Sequence, residues 1–335
     1  MANIFLTKKC NLKCPYCFAD EFVNKDNQEI SIENFKKALN FIKTNPLERI
    51  GLIGGEPTIY SNFHEILQII NNDKEINQVI VYTNGIEIDK YIESLENEKF
   101  NLLINCNCEK DIGKTNFDKL KNNISILKKF KKNKFDIGIN LYSKELDYTF
   151  IYELLELAEL KRLRFSISIP NDSKEKTIDV INGFKDFKPF LFQFFNECLE
   201  KNILPYNDCN SLPNCILTTE DMKILLKIDN LGKKYNYKDT IIRSMNTCKP
   251  VIDILPDLTS VRCFGLSKYE KVPISNFKNI ESLRKYFFNK IDIYARITKI
   301  SNNCNSCNYD YLEKCGYCLT YKLKKMNENI EKLTT

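Results

Sequence analysis

Short apolar runs alternate with amphipathic stretches along the first 200 residues of the chain. Apolar runs of strand length lie at 2–7, 49–53, 78–85, 100–105, 135–141 and 163–169. Between them, apolar residues recur three or four positions apart, which is typical of helices with one buried face. This pattern predicts helices that begin at Ser31 and that cover 61–71, 116–130, 147–160 and roughly 187–201.

The order of these elements predicts an α/β fold with six consecutive β–α units. Strands that alternate with helices favour parallel pairing and right-handed crossovers. Six units are two short of the closed eight-fold barrel. We therefore expect a partial (β/α)6 barrel, with an open doubly wound sheet as the alternative.

Polar and cysteine-rich loops follow several of the predicted strands. In both architectures, ligands bind where the carboxyl ends of the strands meet. We expect the loop that contains the first three cysteines (the cysteine loop) to share one rim with 54–58, 83–85 and 105–106.

Bulk composition narrows the class of protein. A chain of 335 residues corresponds to about two domains, and its net charge of +6 is spread along the sequence. The densest basic run, 128–134, has neither an aromatic nor an arginine-rich pattern, so we do not expect nucleic-acid binding. The sequence contains neither a signal peptide nor an apolar segment of about 18 residues, so we expect a cytoplasmic protein without a membrane span.

Cysteine usage points to metal chemistry. The chain has 14 cysteines and one histidine, His64, which we interpret as a structural or surface residue. A reducing compartment disfavours disulfides, so this many thiols indicates metal or iron–sulfur ligation. Cys10, Cys14 and Cys17 follow the spacing C-x3-C-x2-C. A 4Fe–4S cluster usually takes four thiolates, so three would leave one iron open for chemistry. Half of a zinc site with a remote fourth ligand is the alternative.

The cysteine triplet resembles the signature of the radical S-adenosylmethionine (radical SAM) superfamily. The resemblance covers about residues 1–200 and implies a 4Fe–4S cluster on the three thiolates, with S-adenosylmethionine on the fourth iron. Tyr16 matches the aromatic residue that packs on the adenine in that family.

Two further motifs extend this resemblance. Gly54, Gly55, Glu56 and Pro57 match the family's GGEP motif, which binds the amino group of S-adenosylmethionine. Glycines permit close backbone approach to a ligand, and a carboxylate can accept hydrogen bonds from an ammonium group. The turn that starts with Thr83 and Asn84 resembles the family's TNG turn. Polar residues in or after the later strands are further candidate contacts to S-adenosylmethionine or ordinary strand-end residues: Asn105, Asn140, Ser166 and Ser168.

A second set of cysteines lies near the C-terminus: Cys248, Cys263, Cys304, Cys307, Cys315 and Cys318. The last four form two C-x2-C pairs that could bind one zinc ion. The whole layout resembles the SPASM/twitch extension of radical SAM enzymes, which implies one or two auxiliary 4Fe–4S clusters. In that arrangement Cys248, Cys263 and Cys318 belong to the first cluster, and Cys304, Cys307 and Cys315 belong to the second.

Other cysteines have less definite roles. Cys209 and Cys215 either complete a ligand set or belong to a loop over the barrel mouth. Cys106 and Cys108 follow the fourth strand, where ordinary strand-end thiols are the favoured interpretation. Cys198 lies in a predicted helix and is interpreted as a core residue.

The resemblance divides the chain into a radical SAM barrel (1–201), a connecting segment (202–247) and an auxiliary-cluster domain (248–335). It implies reductive cleavage of S-adenosylmethionine and hydrogen abstraction from a peptide or protein substrate, with crosslinking or oxidation as the result. Formylglycine formation, as in anaerobic sulfatase-maturing enzymes, and small-molecule dehydrogenation are alternatives. An iron–sulfur electron carrier is the non-enzymatic alternative.

Partners follow from the same resemblance. An electron donor such as flavodoxin or ferredoxin would reduce the cluster. The barrel pattern begins at residue 2, so leader recognition would fall to a separate protein or to 202–247. The sequence identifies no catalytic acid or base.

Overall fold

Parallel strands and the helices that connect them form most of the computed structural model. It describes residues 1–17, 19, 22–26, 28–129, 134–167, 180–209, 212–237, 241, 248, 251–267, 269–294 and 318–320. The chain divides into two compact units. Unit 1 comprises Met1–Ile137, Tyr148–Glu159 and Pro250–Ile291, and unit 2 comprises Gly138–Asp147, Leu160–Lys249 and Asp292–Thr335.

Seven strands of unit 1 lie in the order β10-β9-β8-β1-β2-β3-β4. β1 pairs in parallel with β2, β2 with β3, and β3 with β4. Their bounds are β1 Ala2–Phe5, β2 Ile50–Ile53, β3 Val79–Thr83 and β4 Phe100–Asn105. The strands β1 to β4 lie side by side in the same order as in the sequence, without the reversal of strand order that a doubly wound sheet contains. The predicted α/β class and its barrel-type winding are therefore confirmed.

Three short strands near the C-terminal end complete this sheet. They are β8 Ile252–Ile254, β9 Thr259–Val261 and β10 Val272–Pro273. β8 pairs in parallel with β1, whereas β9 is antiparallel to both β8 and β10. The sequence pattern did not predict these strands. The predicted division at 201 and 248 stays a prediction. By compactness, Pro250–Ile291 belongs to unit 1.

Helices of unit 1 bury the apolar stripes that their sequences predict. Phe35 and Leu39 of α1 and Phe63 and Leu67 of α2 are buried. Ser31 caps α1, because its side chain accepts a hydrogen bond from the Asn34 N–H. The helices are α1 Ile32–Lys43, α2 Phe63–Asn72, α3 Ile92–Leu95, α4 Glu109–Ile112, α5 Lys114–Leu127, α6 Phe150–Ala158 and α9 Ile280–Phe287.

Unit 2 contains β6 and β7, and the strand β5 begins in unit 1 and ends in unit 2. β6 pairs in parallel with both β5 and β7. An aromatic core forms where Phe165 packs edge-on against Phe194 and Phe195. The elements are β5 Phe135–Leu141, β6 Arg162–Ile167, α7 Val180–Glu200, β7 Leu204–Cys209 and α8 Thr219–Lys234.

Candidate functional site

The cysteine loop begins directly after β1 and is closed at its base by backbone pairing. Thr7 forms an antiparallel bridge with Glu29. The Lys8 N–H donates to the Gln28 carbonyl at 2.9 Å. The Glu29 carboxylate also accepts a hydrogen bond at 2.5 Å from the hydroxyl of Ser61, which lies two residues before α2. The loop is therefore tied both to the sheet and to the following β–α unit.

Cys10, Cys14 and Cys17 lie within this loop, and each is partly buried. Burial raises the pKa of Cys10 to about 11 and that of Cys14 to about 12, and charge repulsion from Cys17 contributes at both positions. The three thiols are thus near enough to influence one another. Such thiols become thiolates only beside a compensating positive charge, which a metal centre supplies.

The donor set consists of three thiols, which are the ligands that iron–sulfur clusters take in proteins. No three His, Cys, Asp or Glu side chains in the described part of the chain lie together closely enough to hold one metal ion. In a cubane cluster each thiolate binds a different iron atom, so the thiolates can stand farther apart. Cys10, Cys14 and Cys17 offer three partly buried thiols from one closed loop.

Two glycines allow the GGEP loop, residues 54–57, to lie directly against the cysteine loop. The Gly55 N–H donates to the Thr7 carbonyl at 2.8 Å. A Cβ on Gly55 would lie 2.2 Å from the Lys9 carbonyl oxygen and 2.9 Å from Cys10 Cβ. A Cβ on Gly54 would lie 2.8 Å from the Thr7 oxygen. Only glycine permits this approach, because the obstructing oxygens belong to the backbone.

The Glu56 carboxylate is fully buried and joins the GGEP loop to the TNG turn, residues 83–85. It accepts hydrogen bonds from the Thr58 N–H at 3.1 Å and the Thr58 hydroxyl at 2.7 Å. It also accepts from the Thr83 hydroxyl and the Asn84 N–H, both at 2.7 Å. Burial raises the pKa of Glu56, and these hydrogen bonds oppose that rise. Pro57 opens the short 3-10 turn that Glu56 caps.

The TNG turn also contacts the cysteine loop. Asn84 Nδ2 donates to Asn11 Oδ1 at 2.7 Å. Gly85 has a φ of +79°, and a Cβ there would lie 2.7 Å from a side-chain carbon of Ile104 and 2.8 Å from one of Leu120. The cysteine loop, the GGEP loop and the TNG turn are therefore one connected hydrogen-bonded assembly.

Tyr16 links the cysteine loop to the segment that follows β4. Its hydroxyl donates a hydrogen bond to Oδ1 of Asn107, whose side chain is only 4% exposed. No sequence motif points to Asn107, although its position between Cys106 and Cys108 after a buried strand is a usable signal. Burial raises the pKa of the Cys106 thiol, and Cys108 is the N-cap residue of the short helix α4.

Two of the remaining predicted S-adenosylmethionine contacts lie together in unit 2. Asn140 of β5 and Ser166 of β6 are register partners, and the Ser166 hydroxyl donates to Asn140 Oδ1. Arg164, which was not among the predicted site residues, donates to the same oxygen at 3.2 Å. In unit 1, Asn105 is the last residue of β4. Ser168 lies outside the described residues, and the ligand roles of all four stay predictions.

Three of the six C-terminal cysteines belong to the described residues. Cys248, Cys263 and Cys318 are each partly buried. Cys263 follows β9, and the next residue, Phe264, donates its N–H to the buried Asp253 carboxylate at 3.1 Å. Cys304, Cys307 and Cys315 lie outside the described residues. Cys209 and Cys215 are exposed, and Cys198 is buried as predicted.

An apolar cluster within unit 1 lies between the cysteine loop and the segment that contains Cys263. Phe264 packs edge-on against Phe5 of β1 at 5.1 Å and against Phe22 of the cysteine loop at 5.5 Å between ring centroids. Cys17 packs against the same cluster. The strands β8 and β9 therefore contribute to the support of the cysteine loop.

Residues 4–147 match the family model described as the Radical SAM superfamily. This match confirms the resemblance to the radical SAM superfamily that the sequence motifs indicated. The family implies a 4Fe–4S cluster and S-adenosylmethionine, for which the loops described above provide the matching residues. No helix among the described residues is long and apolar enough to cross a membrane.

Curated relatives match only part of the chain. The GTP 3',8-cyclase of Alkaliphilus oremlandii is 30% identical over 96 residues, which is 28% of this chain and 30% of that protein. The GTP 3',8-cyclase of Clostridium perfringens is 28% identical over 187 residues, covering 48% of this chain and 57% of that protein. The matches therefore span less than two thirds of either relative.

A longer likeness exists at the level of fold. SuiB of Streptococcus suis bound to S-adenosylmethionine superposes with a TM-score of 0.64 at 16% identity, covering 96% of this chain and 73% of that chain. SuiB bound to its precursor peptide SuiA gives a TM-score of 0.62 at 16% identity, covering 96% and 72%. At such identity the likeness concerns the fold alone.

Proposed function

We propose that this protein cleaves S-adenosylmethionine reductively and uses the resulting 5′-deoxyadenosyl radical to abstract hydrogen from a peptide or peptidyl substrate. The observation that supports this proposal is the connected assembly of the cysteine loop, the GGEP loop and the TNG turn. A protein that only transfers electrons has no need of a glycine-lined approach beside a three-thiol site.

Each part of the assembly has a distinct task. Cys10, Cys14 and Cys17 would hold a 4Fe–4S cluster with one iron open to the amino and carboxylate groups of S-adenosylmethionine. When bound, the cluster and S-adenosylmethionine supply the radical chemistry. Gly54 and Gly55 keep the backbone close to the cluster loop, and the Glu56 carboxylate fixes that backbone relative to the TNG turn.

A peptide substrate is favoured over a nucleotide by the extent of the structural likeness. The likeness to SuiB, which was crystallised with a precursor peptide, covers 96% of this chain. The matches to the GTP 3',8-cyclases cover 28% and 48% of it. Crosslinking or oxidation of a peptide side chain is therefore the primary proposal. GTP is the second candidate substrate, because sequence identity favours those relatives.

Further cofactors and partners belong to the same proposal. Cys248, Cys263 and Cys318 would bind one auxiliary 4Fe–4S cluster, and Cys304, Cys307 and Cys315 a second. Reduction of the cluster on Cys10, Cys14 and Cys17 requires an electron donor such as flavodoxin or ferredoxin. A separate leader-binding protein or the segment 202–247 would recognise the substrate peptide.

The proposal is tested on anaerobically reconstituted protein by assaying iron, sulfide and 5′-deoxyadenosine in the presence of dithionite and S-adenosylmethionine. The wild type should hold about eight to twelve irons. The triple variant Cys10→Ala, Cys14→Ala, Cys17→Ala should lose about four irons and all deoxyadenosine formation. Cys198→Ala is the matched control, since this buried thiol lies outside the site. Bound zinc, or intact clusters without S-adenosylmethionine cleavage, would contradict the proposal.

Substrate class is decided by transfer of deuterium into 5′-deoxyadenosine. A deuterated peptide from a neighbouring open reading frame should stimulate cleavage and pass its label to deoxyadenosine. Label transfer from deuterated GTP, with none from the peptide, would instead establish the nucleotide as substrate.

A further inference from the structure

Asn24 lies opposite Cys10 on the returning half of the cysteine loop and contacts both polar groups of the Cys10 backbone. Its Oδ1 accepts a hydrogen bond from the Cys10 N–H at 2.9 Å. Its Nδ2 donates to the Cys10 carbonyl at 3.4 Å. One side chain therefore holds the first cysteine of the triplet from both sides, across 14 residues of sequence.

The backbone of Asn24 is itself fixed in an unusual conformation. Its φ is 54°, in the left-handed region that asparagine tolerates better than most residues. Its N–H donates to the Lys8 carbonyl at 2.7 Å, close to the base of the loop. Asparagine thus satisfies two separate requirements here, a left-handed backbone and a side chain with both an acceptor and a donor.

The position of the Cys10 backbone determines the surroundings of its sulfur. The Leu12 N–H points to Cys10 Sγ at 3.4 Å. Hydrogen bonds to cluster sulfurs and to their thiolates affect the reduction potential of iron–sulfur centres. A shift of the Cys10 backbone would therefore alter both the cluster geometry and this contact.

We infer that Asn24 is a positioning residue for the iron–sulfur site, which holds Cys10 in the orientation that cluster binding requires. This inference rests on the proposed function, since it presupposes a cluster on Cys10, Cys14 and Cys17. Asn24 belongs to none of the sequence motifs and lies seven residues after Cys17. The contrary view is that Asn24 serves only the turn, through its left-handed backbone.

Three substitutions separate the two views. Asn24→Gly retains the left-handed backbone and removes both side-chain hydrogen bonds. Asn24→Ala removes the bonds and also strains the backbone. Asn24→Asp retains an acceptor for the Cys10 N–H and removes the donor to the carbonyl. Asn202→Gly is the matched control, because Asn202 has a φ of 53° and belongs to unit 2 and not to the cysteine loop.

The experiment measures how fast reconstituted protein loses iron to a chelator, together with the EPR spectrum and midpoint potential of the reduced cluster with and without S-adenosylmethionine. Asn24→Gly should lose the iron of the triplet cluster about 5- to 30-fold faster than the wild type, as expected for one or two lost hydrogen bonds. Its EPR spectrum should also change. The rate at which Asn24→Asp loses iron should lie between the rates of the wild type and of Asn24→Gly. Asn202→Gly should lose iron at the wild-type rate.

An Asn24→Gly variant with wild-type iron loss and an unchanged EPR spectrum would overturn the inference and leave the proposed function standing. If Asn24→Gly fails to fold, the Asp variant decides, and wild-type behaviour there overturns the inference equally. A wild-type protein that binds no iron at all would overturn the proposed function and this inference together.

Discussion

At the scale of single residues, the Glu56 carboxylate is the most constrained group of the site. The structure assigns four hydrogen bonds to this carboxylate, and it is the acceptor in all of them. Two of the four donors are backbone N–H groups. A hydroxyl can rotate to accept instead, whereas a backbone N–H cannot. Glu56 therefore acts on the site through the two loops that it joins.

This arrangement predicts that Glu56→Gln is damaging despite its equal size. In either orientation, the new NH2 group faces the N–H of Thr58 or of Asn84. We expect the free energy of unfolding to fall by about 1–3 kcal/mol, and S-adenosylmethionine cleavage to fall with it. Glu65→Gln on the exposed face of α2 is the control. Denaturant unfolding checks the prediction, and equal stability of both variants would contradict it.

Tyr16 and Asn107 should act as a pair. Each of Tyr16→Phe and Asn107→Ala removes the same hydrogen bond, so the double variant should be little worse than either single one. A double-mutant cycle on kcat/KM for S-adenosylmethionine should give a coupling of about 0.5–3 kcal/mol. Strictly additive effects would show that the contact does not support cofactor binding.

At the scale of elements, the close approach of two loops explains the glycine pair. The predicted cysteine loop, GGEP loop and TNG turn follow β1, β2 and β3, whose order is continuous in the sheet of unit 1. Parallel strands bring their carboxyl ends to one edge, and so the loops meet there. The strand bounds agreed with the sequence pattern to within a few residues, because six short apolar runs that alternate regularly with amphipathic stretches are a clear local signal.

Gly55→Ala should separate these elements. The added Cβ would lie 2.2 Å from a backbone oxygen of Lys9, which no side-chain movement can relieve. We expect loss of iron binding and of S-adenosylmethionine cleavage, assayed as for the cysteine variants. Gly232→Ala in α8 is the control, because its Cβ would meet only ordinary contacts at 3.6 Å or more. That variant should be neutral or slightly stabilising.

At the scale of the whole molecule, a buried polar contact joins two distant parts of the sequence within unit 1. Asn3 Nδ2 donates to the Asp253 carboxylate at 2.7 Å, across 250 residues of sequence. Asp253 and Arg262 are both fully buried. Burial raises the pKa of Asp253 to about 7, and Arg262 together with the hydrogen bonds opposes that rise.

The raised pKa of Asp253 predicts a pH-dependent stability. An unfolded aspartate ionises near 3.9, whereas the folded one stays protonated up to about 7. Its contribution to stability is therefore complete below about pH 4 and is lost as the pH rises to 7, by up to about 4 kcal/mol. Denaturant unfolding of the wild type and of Asp253→Asn across this range should show the wild type losing stability relative to the variant. A relative gain would show that Arg262 keeps Asp253 ionised.

The sequence by itself determined the local features of this protein. The cysteine triplet, the GGEP and TNG motifs and the six apolar runs are all contiguous, so their residue types and spacing were sufficient to predict a radical SAM domain on an α/β fold. Capping at Ser31 and the buried stripes of α1 and α2 were equally local.

Only the tertiary structure decided which distant residues meet. The strands β8, β9 and β10 have three, three and two residues, too few for any periodic signal, and they exist because β1 offers a free edge to β8. Asn24 and Asn107 are isolated polar residues whose partners, Cys10 and Tyr16, become neighbours only when the loop closes. Hydrogen bonds of this kind depend on position in space, which a single sequence specifies only through the complete fold.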